Sequence, residues 1–349
     1  MTDSPMTAPA APSASAGEVL SGYLTTQAGA FLRALPQAVG EAGSRPGSLP
    51  ASAAGADDLL RAVRRIGGAL HTFGAVFESD WAGELRTELA WLLDLLGREP
   101  GYRRRSSRLL AALDSLGDTG ADSPGMLAGH TGVPKARALL ERQLTLARTR
   151  AHTALLQELR TARLHALADR MTLLSGEVPL LDGAAGRDGA ALVQHAAGAL
   201  AALAAAAERL PLARAVEPYG GDGLHRLAVL PAARSASPGD ADVLLAADDE
   251  PWHRVRVLAK RARYALEVCA APAVELDRLD AVLDRHRDAS DAAATASTAA
   301  RTPRITPATA YVLGVVHADQ RLEVEAARYA FGHQWPKLPH HGWHEWATV

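Results

Sequence analysis

One cysteine, three lysines and a thin supply of aromatic residues set this chain apart before any motif is read. Cys269 has no second cysteine to pair with, which excludes an internal disulfide and suits a reducing cytoplasm. It reads as a buried, inert thiol. Aromatics make up 5% of the residues and β-branched side chains are sparse, so the residue types that favour strands are scarce. A surplus of one charge sign is missing too: 37 Lys and Arg stand against 39 Asp and Glu, a formal net charge of −2. Such a chain does not coat polyanions indiscriminately, and any anion site must come from local clustering. Nearly all its cations are arginine, since Lys135, Lys260 and Lys337 are the only lysines.

Catalytic, metal-binding and membrane signals are also lacking. No Walker-type loop, Gly-x-Ser-x-Gly elbow or His-Glu-x-x-His pair occurs, so no enzymatic activity is expected. His286-Arg287-Asp288 matches a kinase catalytic loop in three letters only. No cofactor or metal centre is expected either. The tail holds His340, His341, His344 and Glu345, but its Pro and Gly make it a flexible, adventitious binder. Asp240, Asp242, Asp248, Asp249 and Glu250 lack the glycine and twelfth-position glutamate of an EF-hand, and 240–250 reads as a solvated loop. The opening 1–16 has no basic start or long apolar stretch and reads as a disordered lead. The apolar run 190–210 is alanine-rich and interrupted by Gln194 and His195, which suits a packed helix better than a membrane span.

What remains is helical. Alanine, leucine and arginine dominate, and 48% hydrophobic content in 349 residues can bury a large core. Helical periodicity starts near Glu18 and breaks in the Gly, Pro and Ser-rich 39–55. It returns over 56–78, 81–97, 102–117, 134–150 and 151–174. Residues 17–174 thus make a first bundle, 175–189 a linker, 190–338 a second bundle and 339–349 a flexible tail.

The segment WHRVRVLAKRARYALE, 252–267, carries the densest information. At 100° per residue, His253, Arg256, Lys260, Arg263 and Glu267 share one stripe, while Val255, Leu258, Ala262, Ala265 and Leu266 face away. Arginine offers a planar fork and lysine a compact charge to phosphate oxygens. A solvated helix face explains the same stripe, and geometry alone leaves both readings open.

The pattern His253-x-x-Arg256-x-x-x-Lys260-Arg261-x-Arg263-Tyr264-x-x-Glu267 resembles the signature helix of the CHAD family, the conserved histidine α-helical domains. LDAVLDRHRDA at 279–289, ARTRAHTALLQEL at 147–159 and EAARYAFGHQWPKL at 325–338 resemble further pieces of that family in order. The resemblance implies an all-α fold of two pseudo-symmetric four-helix bundles from an internal duplication, with basic helices meeting at a shared surface. It also implies inorganic polyphosphate as partner, polyphosphate granules as a destination, and Arg256, Lys260, Arg261 and Arg263 as principal contacts. Polyphosphate has about one negative charge per residue and no bases, so it needs a cation track, and its binding weakens with salt. His253 has two open roles: an added charge near neutral pH, or an orienting bond to a neighbouring carboxylate. Family members are sometimes fused to CYTH triphosphatase domains, whose strands carry Glu-x-Glu. Here Glu323 and Glu325 fall in a helical pattern and read as a solvated face.

A shift of 196 residues lays ADDLLRAVRRIGGALH, 56–71, over 252–267. Arg64 and Arg65 then coincide with Lys260 and Arg261, and Leu59, Val63, Ile66 and Leu70 with Val255, Ala259, Ala262 and Leu266. Chance likeness of two amphipathic helices is the competing explanation. In this first copy Asp57, Leu60 and Gly67 replace His253, Arg256 and Arg263, and Pro100-Gly101 replaces an Arg-Asp turn. Arg61, Arg64 and Arg65 make a secondary contact set, so the expected site is asymmetric. Two other functions stay open: a helical protein-interaction module, and nonspecific nucleic-acid binding. Nucleic acid calls for exposed aromatic platforms, and only Trp252 and Tyr264 lie near the stripe.

Overall fold

Ser15 and Glu18 open the first helix with reciprocal bonds: the Ser15 amide donates to the Glu18 carboxylate at 2.8 Å, and the Glu18 amide to Ser15 Oγ at 3.2 Å. This capping box satisfies two donors that a helix start would leave free. The structure, a computed structural model, describes residues 14–42, 54–120, 124–217 and 238–338. Eleven α-helices occur among them: α1 (Ala16–Ala42), α2 (Ala54–Thr72), α3 (Ser79–Gly117), α4 (Val133–Glu158), α5 (Ala162–Gly176), α6 (Asp182–Ala185), α7 (Ala190–Ala207), α8 (Leu212–Val216), α9 (Pro238–Val268), α10 (Val274–Ala300) and α11 (Pro307–Gln334). The fold is all-α, as the composition predicts. The lead up to residue 13, the tail from 339 and most of the expected loop at 39–55 lie outside the described residues.

Three expectations about boundaries are overturned, the simplest being the one at 150, which falls inside α4 because that helix runs on to Glu158. The break between 97 and 102 does not form, because α3 runs 39 residues through Pro100. Proline forfeits one backbone bond there, but buried leucines on both sides, Leu92 and Leu96 before it and Leu109 and Leu113 after it, hold the rod continuous. The acidic stretch 240–250 is also helical, as the first turns of α9. Residues 175–189 lie against the first half: Leu181 donates to the Val76 carbonyl at 2.9 Å, and Ala16 to that of Arg187 at 2.9 Å.

Three apolar clusters organise these helices. The first gathers α1, α2, the front of α3 and α5 around Leu24, Phe31, Ile66 and Phe73. The second gathers α7, α9, the front of α10 and the end of α11 around Trp252, Val255, Leu279 and Phe331. The third joins the halves: Leu109 and Leu113 of α3 and Leu140 of α4 pack with Ala296 of α10 and Val312 and Val316 of α11. Helix α7 is long and apolar enough to cross a membrane by length and composition, yet half of it is buried inside the protein.

A polar network threads the second cluster. Asp249 of α9, 4% exposed, accepts from Arg321 at 2.7 and 3.2 Å and from Arg328 at 2.7 Å. Arg328, 3% exposed, also donates to Asp248 at 2.6 Å, to Glu325 at 3.0 Å and, through Nε, to His286 Nε2 at 3.3 Å. Trp252 stacks on His286 with centroids 5.6 Å apart, and the Arg328 guanidinium sits 5.3 Å from the Trp252 ring. The reading of Asp248, Asp249 and Glu325 as solvent-facing therefore fails. Asp248 and Asp249 neutralise arginines of α11, more than seventy residues away, and Glu325 pairs with Arg328 within α11 itself. Glu323 is likewise engaged, by Arg108 at 3.1 Å and Arg285 at 2.7 Å.

Candidate functional site

The basic stripe of α9 meets an acidic ladder on α10. Arg256 donates to Asp284 at 2.5 Å; Lys260 lies 3.1 Å from Asp284 and 3.3 Å from Asp280; Arg263 lies 3.2 Å from Asp280 and 3.5 Å from Asp277. Residues 277, 280 and 284 recur at helical spacing, and α10 returns beside α9, so the two rows interlock. Burial pushes the Asp280 carboxyl upward, against the pull of Lys260 and Arg263. Burial acts the same way on Asp284, but Arg256 and Lys260 outweigh it and hold that carboxyl low. The three stripe cations are each about a quarter exposed, so part of every charged head remains open.

His253 makes its side-chain hydrogen bond to a hydroxyl and not to the expected carboxylate. Its Nε2 lies 3.2 Å from Ser290 Oγ, and its ring meets His286 edge-on at 5.5 Å. Burial, then Arg287, pushes its pKa below the ordinary imidazole value despite Asp249, Asp291 and Glu250. It is a neutral, half-buried hydrogen-bonding group at neutral pH.

Helices α2 and α9 cross where Gly68 meets Tyr264: a Cβ on Gly68 would come within 2.8 Å of the tyrosine ring. These two positions are equivalent under the 196-residue shift, so the local two-fold axis passes between them. Beside the crossing, Arg65 pairs with Glu267 at 2.7 Å. The symmetry mates of that pair are Arg261 and His71, two bases where the other side has a base and an acid. Both are depressed by burial, and in addition His71 feels Arg261 and Arg86, and Arg261 feels Arg86. Arg61 pairs with Asp58, whereas Arg64 is exposed and has no ion pair among the described residues. A cleft of about 500 Å³ between α1 and α2 is lined by Gln27, Arg33, Gln37, Asp58, Arg61 and Arg65.

Comparison with known proteins settles what this arrangement belongs to. A family model described as the CHAD domain matches residues 51–296. The chain belongs to the CHAD family. It resembles the solved structure of PptA from Streptomyces chartreusis at 42% identity and a TM-score of 0.74, covering 93% of this chain and 100% of that one. It also resembles the CHAD domain from the plant Ricinus communis at 20% identity and a TM-score of 0.51, covering 95% of this chain and 97% of that one, a likeness of fold. A search of curated proteins gave no match.

Within this CHAD domain the halves differ for a structural reason. A shift of 187 residues lays buried Leu89, Leu92 and Leu96 of α3 over buried Leu276, Leu279 and Leu283 of α10. Ala90, Leu93 and Gly97 then stand where α10 has Asp277, Asp280 and Asp284. The first half has neither these acids nor two of the three stripe cations, which leaves Arg64 without a counter-charge among the described residues. The motif led to the cations and passed over the acids, although their spacing in LDRLDAVLD was there to read.

Removing cations from the ladder therefore touches stability. Lys260→Ala with Arg263→Ala strips Asp280, whose side chain is 9% exposed, of both partners. The expected cost is roughly 2–3 kcal/mol, just below that of breaking a fully buried pair because both cations reach solvent. Adding Asp280→Asn should recover most of it in urea unfolding. A triple variant no more stable than the double would show that the ladder does not carry that load.

Proposed function

We propose that this CHAD domain binds inorganic polyphosphate across the α2–α9 crossing, with His253, Arg256, Lys260, Arg261, Arg263, Arg61, Arg64 and Arg65 forming the surface. The observation that carries the reading is the unequal neutralisation of these bases. Arg256, Lys260, Arg263, Arg61 and Arg65 are fixed by carboxylates, while Arg64 and Arg261 reach the same crossing from distant parts of the chain with none among the described residues. The held cations shape the track, and the free ones supply uncompensated charge. His253 contributes position more than charge.

A nucleic-acid ligand is less well served. Trp252 is 1% exposed and Tyr264 8%, so neither offers a face on which a base stacks. Polyphosphate needs only phosphate contacts, and granule association follows as the same chemistry on a larger body.

The test is a titration with long-chain polyphosphate at low and physiological salt, with single-stranded DNA as charge-matched competitor. Tight binding that weakens with salt and resists DNA is expected. Arg64→Ala with Arg261→Ala, which breaks no ion pair among the described residues, should weaken it at least tenfold and lower the salt slope by about two, roughly one per lost phosphate contact. Equal displacement by DNA would make this a general polyanion surface. No binding at either salt would leave the protein-interaction reading.

A further inference from the structure

We infer that His71, Arg86 and Arg261 form a phosphate site in which the arriving anion draws a proton from solvent onto His71. This deepens the polyphosphate reading and rests on it for the ligand class.

Geometry brings the three together. His71 lies in the last turn of α2, which packs against both α3 and α9, and Arg86 of α3 and Arg261 of α9 act electrostatically on it, so the three bases gather where these helices meet. Across the local axis the equivalent contact is a closed ion pair, Arg65 with Glu267. On this side His71 stands where the glutamate would be, and the basic residue opposite it has no carboxylate. His71 and Arg86 are exposed and Arg261 is half-buried, so the group is open to a ligand.

The surroundings of His71 leave it poised. Burial lowers its pKa first, then Arg261 from α9, then Arg86 from α3, and no carboxylate pulls the other way. Other elements on α2 bring Arg33 of α1 and His195 of α7. Arg33 faces the cleft with Arg61 and Arg65, and His195 meets Phe73 edge-on at 5.9 Å, so neither acts on His71. The free protein thus favours the neutral form of His71, first through burial and then because two guanidiniums oppose a third positive charge. A phosphate between them screens that repulsion and accepts a hydrogen bond from the imidazolium, so binding and protonation favour each other. Proton uptake on binding follows, and affinity gains as pH falls toward the free-state value. Internal phosphates of a chain carry their charge throughout this range, so the gain belongs to the protein.

Tripolyphosphate is a suitable probe, with the full-length protein and His71→Gln to identify the imidazole signal in NMR titrations. His71 should titrate below the ordinary imidazole range in the free protein and rise by about one unit or more with tripolyphosphate, a tenfold linkage. Calorimetry in two buffers of different ionisation heat should show proton uptake near pH 6.5 that His71→Gln abolishes. Arg86→Ala should raise the free-state value and weaken binding. An unmoved His71 at saturating tripolyphosphate, no binding of that probe, or unchanged uptake in His71→Gln would overturn the site. If tripolyphosphate moves His71 but long chains fail to bind, the site stands and the polyphosphate reading falls. Long chains that bind without moving His71 give the reverse.

Discussion

Asp249→Ala is expected to cost about 3–5 kcal/mol of folding stability, the range for removing one partner from a buried ionic network. Its carboxylate is the shared acceptor for Arg321 and Arg328, and Arg328 is 3% exposed. Without it Arg328 keeps Asp248 and Glu325, while the Arg321 guanidinium loses the acid that holds it against α9. The damage reaches further than one bond, since Arg328 also holds His286 and covers Trp252. Urea unfolding of the variant should show a lowered midpoint with an unchanged slope. Asp249→Asn, which keeps an acceptor but no charge, should fall between the two. A loss below about 1 kcal/mol, the range of exposed pairs, would mean that the network is solvated in practice.

Acid should expose the same region. Burial, followed by Arg328, His253, Arg321 and Arg287, pushes His286 down to about 2. Its Nε2 already accepts from Arg328, so a proton there would also displace that bond. In the unfolded chain the imidazole returns to about 6.5. Between these values the unfolded state holds a proton that the folded state refuses, so stability is full above pH 6.5 and falls as pH drops. The slope is about 1.4 kcal/mol per pH unit, or about 3 kcal/mol by pH 4.5. His286→Gln retains an acceptor for Arg328 without titrating, and its stability between pH 6 and 4.5 should decline less steeply by that slope. Parallel profiles for the two proteins would remove His286 as the cause.

The fold class was legible because helices announce themselves locally. Val255, Ala262, Ala265 and Leu266 are buried as the apolar stripe of 252–267 predicts. Leu59, Val63, Ile66 and Leu70 of the first copy are buried likewise. What sequence reading missed is pairing over distance. Whether Lys260 faces water or Asp280 depends on which helix returns beside it, and a stripe read alone carries no trace of its neighbour. Asp249 shows the same limit: it stands three residues before Trp252, on the buried side, yet four other acids within ten residues made the stretch look solvated. Its partners, Arg321 and Arg328, belong to the last helix. The bases His71 and Arg86 escaped notice for the opposite reason. Each is unremarkable in its own segment, and only the crossing of α2 with α9 makes a group of them.

The third apolar cluster bears on how the two halves depend on each other. Leu109, Leu113 and Leu140 from one half and Ala296, Val312 and Val316 from the other complete a single core that neither half closes by itself. A lone half would present the end of its helical hairpin as an unfinished surface. The present molecule thus joins two helical halves through a shared core within one polypeptide. Covalent linkage keeps the partners at fixed stoichiometry and frees each half from having to match itself. That freedom allows one side of the axis to hold a closed ion pair while the other keeps three bases open.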